Sequence, residues 1–222
     1  MKKILISLML TILMTTPVCA FENIVSLDDV EKPAQTEVNE NTTQTLEAAV
    51  SFDWLDINQA QRDEQIDHYK NLLFRENSEI YFTKDQFKDK FANYKKDRQF
   101  KLHYMLTNNG VQEDEDAKYC AFYYKKNTLV MYAIQYKTNP HNAYYYTAFG
   151  KLYYVDVTSD KYPQFPYTSM QYNRKGELKS AIYFVSKDLQ YMYGADKEFQ
   201  GIWYKDKMYD RNGKQTLTRT NW

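Results

Sequence analysis

The chain contains 222 residues, and its 29 lysines and arginines balance 29 aspartates and glutamates, so the formal net charge is zero. After residue 50 there are 26 basic and 22 acidic residues, an excess too small to indicate a nucleic-acid partner, for which a clustered basic face is expected. No stretch beyond the first 20 residues approaches the length of a membrane-spanning helix.

Residues 1–20 have the pattern of a cleavable bacterial secretory signal peptide. Lys2 and Lys3 give a positive start, and the eleven residues of Ile4–Met14 carry no charge. The sequence Val18-Cys19-Ala20 then supplies the small residue that signal peptidase requires, which predicts cleavage after Ala20 and export to the periplasm or the extracellular space. Eleven apolar residues are about half of the ~20 that a spanning helix needs, so an uncleaved anchor is disfavoured.

The chain has two cysteines, Cys19 and Cys120. Cleavage after Ala20 would leave Cys120 alone, so the mature chain could not form an intramolecular disulfide and would be held by packing. The alternative is a lipoprotein signal in which Cys19 is lipidated, although Thr16-Pro17-Val18 lacks the leucine that usually stands three residues before such a cysteine. Alternation places Cys120 on the same strand face as Phe122, which is typical of a core residue.

Residues 21–50 are predicted to be a flexible acidic linker. They hold seven acids and one lysine and show little apolar periodicity, so they cannot bury enough surface to offset the entropy of ordering. Residues 51–222 are predicted to form a single α+β domain, long enough to bury roughly 70% of its unfolded surface.

Two helices are predicted at the start of this domain. From Asn58 to about Glu76, apolar residues recur at spacings of three and four. The second helix follows a capping-box pattern at Thr83–Gln86. It carries aromatic residues at i, i+4 and i+7, namely Phe87, Phe91 and Tyr94.

From about residue 100 the apolar period changes from 3.6 to 2, which predicts short strands. The predicted strands are Leu102–Leu106, Tyr119–Tyr124, Thr128–Tyr136, Tyr144–Phe149, Leu152–Val157, Met170–Tyr172, Ala181–Val185, Leu189–Tyr193 and Gly201–Tyr204. This part of the chain holds 19 of the 22 tyrosines, as expected for half-buried strands. The predicted fold is α+β, with two N-terminal helices followed by an antiparallel β-meander of about seven to ten short strands.

Two segments near the C-terminus are alike. Tyr172-Asn173-Arg174-Lys175-Gly176 and Tyr209-Asp210-Arg211-Asn212-Gly213 share a form in which glycine turns the chain at positive φ, and Gly150 lies in a looser third copy. This form resembles the Tyr-Asp-x-x-Gly hairpins of YD repeats and the Asn-Gly-Lys hairpins of bacterial MORN-type repeats. The resemblance covers about 50 residues, implies an exported or surface-associated hairpin scaffold, and brings no catalytic residue.

The sequence contains no recognised constellation of catalytic residues. The three histidines, His68, His103 and His141, stand neither four residues apart nor as His-x-His, so no zinc site is predicted. The acidic run Glu113–Asp116 lacks the alternating spacing of a calcium loop and is interpreted as a solvated loop. No cofactor, no metal and no catalytic residue is therefore predicted.

Runs of tyrosine suggest a binding surface instead. In Tyr144-Tyr145-Tyr146 and Tyr153-Tyr154, alternation places rings on both faces of a sheet, so one face is expected to expose rings that could stack on a sugar or a protein. Tyr144, Tyr146 and Tyr154 are the candidate ligand-binding residues. The simpler alternative is that tyrosine, with its polar tip, tolerates half-exposed strand positions.

Three functions remain open on these grounds. The favoured one is a non-enzymatic exported binding or scaffold domain of the periplasm or cell envelope, with a protein or glycan partner. The alternatives are an exported hydrolase that uses paired carboxylates, and a small inhibitor or envelope accessory protein.

Overall fold

The computed structural model describes residues 52–75, 78–124 and 128–218, so the predicted signal peptide and linker lie outside the described residues. The helices come first along the chain and are α1 (Gln59–Arg75), α2 (Lys84–Lys90) and α3 (Phe100–Asn108), with short 3₁₀ turns at Ser78–Ile80 and Ala92–Tyr94. None of the described helices is long and apolar enough to cross a membrane.

The rest of the described chain forms one antiparallel sheet in which every strand pairs with its neighbours in sequence. Its eleven strands are β1 (Gln112–Glu113), β2 (Ala117–Tyr124), β3 (Thr128–Tyr136), β4 (Asn142–Thr147), β5 (Leu152–Thr158), β6 (Tyr167–Asn173), β7 (Leu178–Phe184), β8 (Leu189–Gly194), β9 (Phe199–Tyr204), β10 (Lys207–Tyr209) and β11 (Gln215–Thr218). The predicted α+β class and meander are confirmed, but the predicted counts of two helices and seven to ten strands were both too low.

The predicted strand at Leu102–Leu106 is wrong, because these residues lie in α3, the third helix. The buried residues of α3 are His103 and Thr107, four positions apart, whereas Leu102 is 55% exposed. The alternation of leucine and tyrosine was therefore accidental, and the true helical stripe was hidden because both of its fully buried members are polar.

Glycine turns join the strands at the positions where the sequence predicted them. Gly150, Gly176 and Gly213 all have positive φ, at 71°, 74° and 80°. In the last two turns the side chain at the first position accepts backbone hydrogen bonds, so Asn173 Oδ1 receives the Lys175 and Glu177 amides, and Asp210 Oδ1 receives those of Asn212 and Lys214. Asx turns of this kind fix the hairpin locally.

The helices cover one face of the sheet, and tyrosine hydroxyls fasten them to it. Tyr172 donates a hydrogen bond to the Ile80 carbonyl at 2.7 Å, and Tyr193 donates one to the Ile66 carbonyl of α1 at 2.7 Å. Each ring adds apolar area to the core while its hydroxyl satisfies a carbonyl on the covering layer. The abundance of tyrosine after residue 100 is thus largely a property of the core.

The opposite face of the sheet is buried as well. Ala143, Phe184 and Met192 are fully buried there, in a cluster that contains no residue of the described helices. The loop between β5 and β6 contributes Tyr162 and Phe165 to this second cluster. Tyr145 is buried in this cluster, whereas Tyr153 and Tyr154 on the same face are half-buried, as the simpler alternative predicted for tyrosines at strand positions.

Candidate functional site

The three candidate tyrosines do not share one surface. Tyr144 is fully buried under the helices, where its ring stacks on Tyr94 at a centroid distance of 4.1 Å. Tyr146 is also buried but lines a cavity beside α3, and Tyr154 lies half-buried in the second cluster on the opposite face. That these residues bind a ligand stays a prediction, and the structure brings only Tyr146 to the edge of a cavity.

The cavity has a volume of about 550 Å³ and lies between α3, the segment before it and the first strands of the sheet; we call it the α3 cavity. Aromatic rings and polar groups both face it, including those of Tyr94, Asp97, His103, Asp114, Tyr136 and Tyr146. Its size is in the range of small-molecule sites, and a few polar groups among rings are typical of them.

Asp97 and His103 form the most buried polar pair of the cavity. Nδ1 of His103 lies 2.9 Å from both carboxylate oxygens of Asp97, and the side chains are 6% and 2% exposed. Tyr132 donates its hydroxyl to the same carboxylate at 2.7 Å, and the Gln99 amide donates at 3.0 Å. Three donors from three parts of the chain therefore hold this carboxylate in one orientation.

The charge state of Asp97 follows from these contacts. Burial opposes ionisation, but the hydrogen bonds from His103 and Tyr132 outweigh it and hold the pKa of Asp97 below its usual value. An ionised carboxylate can only accept hydrogen bonds, so Nδ1 of His103 carries the hydrogen. His103 forms no other side-chain hydrogen bond with the described residues, which leaves Nε2 available to a molecule in the cavity.

Asp114 lies on the other side of the cavity and is also hydrogen-bonded. Its carboxylate accepts the Tyr119 hydroxyl at 3.0 Å and the amides of Asp116 and Ala117 at 2.9 and 2.8 Å. Burial raises the pKa of Asp114, but the hydrogen bonds from the two amides and then from Tyr119 outweigh it and hold that pKa below its usual value. Part of the predicted solvated loop therefore orders the start of β2 and lines the cavity.

Sequence reasoning missed the Asp97–His103 pair. His103 was predicted to lie in a strand, and in extended chain a residue six positions earlier would be about 20 Å away. A helix that begins at Phe100 turns His103 back over the segment before it, and Asp97 and His103 then meet. The signal in the sequence that could have indicated the pair was the presence of Asp97 and His103 near one another, with Thr107 one helical turn after His103.

No protein-family model matches the chain, and comparison with the curated proteins and with the solved structures finds no match either. Within residues 52–75, 78–124 and 128–218, no three His, Cys, Asp or Glu side chains converge as metal ligands do. The resemblance to hairpin repeats stays a prediction. The function is therefore argued from the α3 cavity.

Proposed function

We propose that this chain is an exported binding protein of the cell envelope and that it takes a carbohydrate-class ligand in the α3 cavity. The observation that carries the proposal is the convergence of tyrosine rings and ordered carboxylates on one cavity. The half-buried rings of Tyr94 and Tyr136 offer stacking surfaces, and the carboxylate of Asp114 and the imidazole of His103 offer hydrogen bonds to hydroxyl groups.

Preorganisation supports binding at this position. The Asp97 carboxylate is held by three donors and the Asp114 carboxylate by three more, so neither needs to reorganise when a ligand arrives. Polar groups that are fixed before binding reduce the entropy cost of association. Export, and with it the envelope location, rests on the pattern of residues 1–20.

The charge states of the two carboxylates favour binding over hydrolysis by paired acids. Glycoside hydrolysis requires one carboxyl to be protonated so that it can act as the general acid. Asp97 and Asp114 both have pKa values below their usual range, so both are ionised at neutral pH. Neither is suited to donate the proton.

The proposal is tested on an array of bacterial envelope glycans, followed by calorimetric titration with N-acetylglucosamine oligomers and with the best array ligand. We expect saturable binding that Tyr136→Ala abolishes. The matched control is Tyr153→Ala, which removes another half-buried tyrosine on the opposite face, outside the cavity. An array without a bound glycan, or equal loss of binding in both variants, would overturn the proposal.

A further inference from the structure

Exposed apolar side chains concentrate around α3. Among the described residues six large hydrophobic side chains are exposed, and four of them lie on α3, just after it, or in the β4–β5 turn: Leu102, Met105, Val111 and Phe149. Phe149 is the most exposed of these at 77%. The turn adjoins the helix, because a Cβ atom built on Gly150 would stand only 2.9 Å from the ring of Phe100.

The same region carries five exposed cations, Lys95, Lys96, Arg98, Lys101 and Lys151. None of them forms a salt bridge within the part of the chain that the structure describes. The only acid between Lys95 and Asn108 is Asp97, which is buried and bonded to His103. Asp114 and Asp116 line the α3 cavity together with Lys96 and Arg98, so the surplus of positive charge in this region rests on Lys95, Lys101 and Lys151.

Two of these lysines face one another directly. Lys96 and Lys151 are partners in an antiparallel bridge, and the Leu152 amide donates to the Lys95 carbonyl at 3.0 Å beside it. Like charges at directly opposed positions destabilise a sheet. The folded protein thus keeps an unfavourable pair of like charges next to exposed apolar residues. A surface with anionic groups outside and an apolar interior would neutralise the charges and also bury the apolar side chains.

We propose that the α3 face, formed by α3 and the β4–β5 turn, binds the anionic surface of a lipid membrane. Phe149 stands at the tip of a turn, and Leu102 and Met105 lie one helical turn apart on an outer helix face. Single apolar side chains that protrude among cations suit the headgroup–acyl boundary of a bilayer, where phosphates take the charges.

The test is co-sedimentation of the purified natural protein with lipid vesicles. One set of vesicles contains phosphatidylglycerol and phosphatidylcholine, and the other contains phosphatidylcholine alone. We expect binding to the anionic vesicles only, weakened by salt because the attraction is screened. Lys151→Glu should lower the partition coefficient at least about fivefold, the contribution of one cation near an anionic surface. The double variant that combines Lys151→Glu with Phe149→Ser should have a still lower partition coefficient.

A second readout separates this role from a structural one. Lys151→Glu replaces a like-charge pair with an opposite pair across Lys96, so the variant should be more stable to urea than the natural protein while it binds vesicles less well. Leu55→Ser and Lys187→Glu change an exposed apolar residue and an exposed lysine outside this face and should leave binding unchanged. Lys151 and Phe149 do not line the α3 cavity, so glycan binding should survive these changes.

The proposal is overturned if the natural protein does not bind anionic vesicles at low salt, if it binds phosphatidylcholine equally well, or if the two control variants lose as much binding as Lys151→Glu. Each of these results leaves the glycan array unaffected. Failure here and failure of the proposed function are therefore distinguishable.

Discussion

Nδ1 of His103 lies 2.9 Å from both carboxylate oxygens of Asp97, although the two residues are six positions apart. The contact joins the first turn of α3 to the segment before it, and the Tyr132 hydroxyl extends it to β3 at 2.7 Å. A helix, a loop and a strand thus meet at one carboxylate. The same contact forms a wall of the α3 cavity, so we expect stability and the proposed ligand binding to depend on it together.

Asp97→Ala and His103→Ala should each destabilise the protein by about 3–5 kcal/mol, because removal of one member of a buried pair leaves the other without its partner. The double variant should cost less than the sum of the two, since the shared interaction is lost only once. Urea denaturation followed by tryptophan fluorescence measures all three. The control is Asp85→Ala, which breaks an exposed pair with Lys88 and should change stability little.

The pH dependence of the same pair has a definite sign. The pKa of Asp97 is lowered in the folded protein, so its contribution is present above the unfolded value near 4 and is lost as the pH falls through the folded value. The free energy of unfolding of Asp97→Asn should therefore fall furthest below that of the natural protein at neutral pH, and least in acid. A difference between the two proteins that does not shrink below pH 4 would contradict this assignment.

Asp156 should show the opposite pH dependence. It is buried on the second face, accepts a hydrogen bond from Gln171 Nε2 at 2.8 Å, and burial raises its pKa to about 7. The neutral form is favoured in the folded state, so its stabilising effect is present below the unfolded pKa near 4 and is lost as the pH rises through about 7.

The measurement for Asp156 is the free energy of unfolding at pH 5 and at pH 8, for the natural protein and for Asp156→Asn. Asparagine stays neutral, so the free energy of unfolding of the variant should rise relative to that of the natural protein by about 2–3 kcal/mol between pH 5 and pH 8. If the two proteins keep a constant difference between pH 5 and pH 8, Asp156 does not titrate in this range.

Gly150→Ala should destabilise the protein more than Gly110→Ala. Both glycines have positive φ, which costs an alanine about 1–2 kcal/mol. At Gly150 the added Cβ would also stand 2.9 Å from the Phe100 ring, whereas at Gly110 no atom lies within 4 Å. Thermal unfolding of the two variants measures the difference, and equal losses would show that the contact between the turn and α3 is not tight.

Cys120 should be unreactive in the folded protein. The residue is 7% exposed, and burial raises the pKa of its thiol to about 12, so almost no thiolate is present at neutral pH. Alkylation by iodoacetamide, read by mass spectrometry of the peptide that contains Cys120, should be slow in buffer and fast in urea. Rapid labelling of the folded protein would show that β2 opens readily.

Local sequence patterns determined much of this fold. The capping box at Thr83–Gln86 is present, and the Thr83 amide donates a hydrogen bond to Gln86 Oε1 at 2.8 Å. Period-two alternation located nearly every long strand, and the Asx-glycine motifs located the turns at Gly176 and Gly213. These features depend on residues within one turn of helix or one hairpin, so their cause is contained in the sequence nearby.

Only the tertiary structure decided what the tyrosines and the histidine do. Alternation could place Tyr144 and Tyr145 on opposite faces, but it could not show that both residues are buried, because that depends on how helices, strands and loops distant in sequence pack on each face. The Asp97–His103 pair likewise required α3 to be a helix. The sequence by itself determined the predicted export pattern, the α+β class and the hairpins, whereas packing between distant segments decided the cavity and its charges.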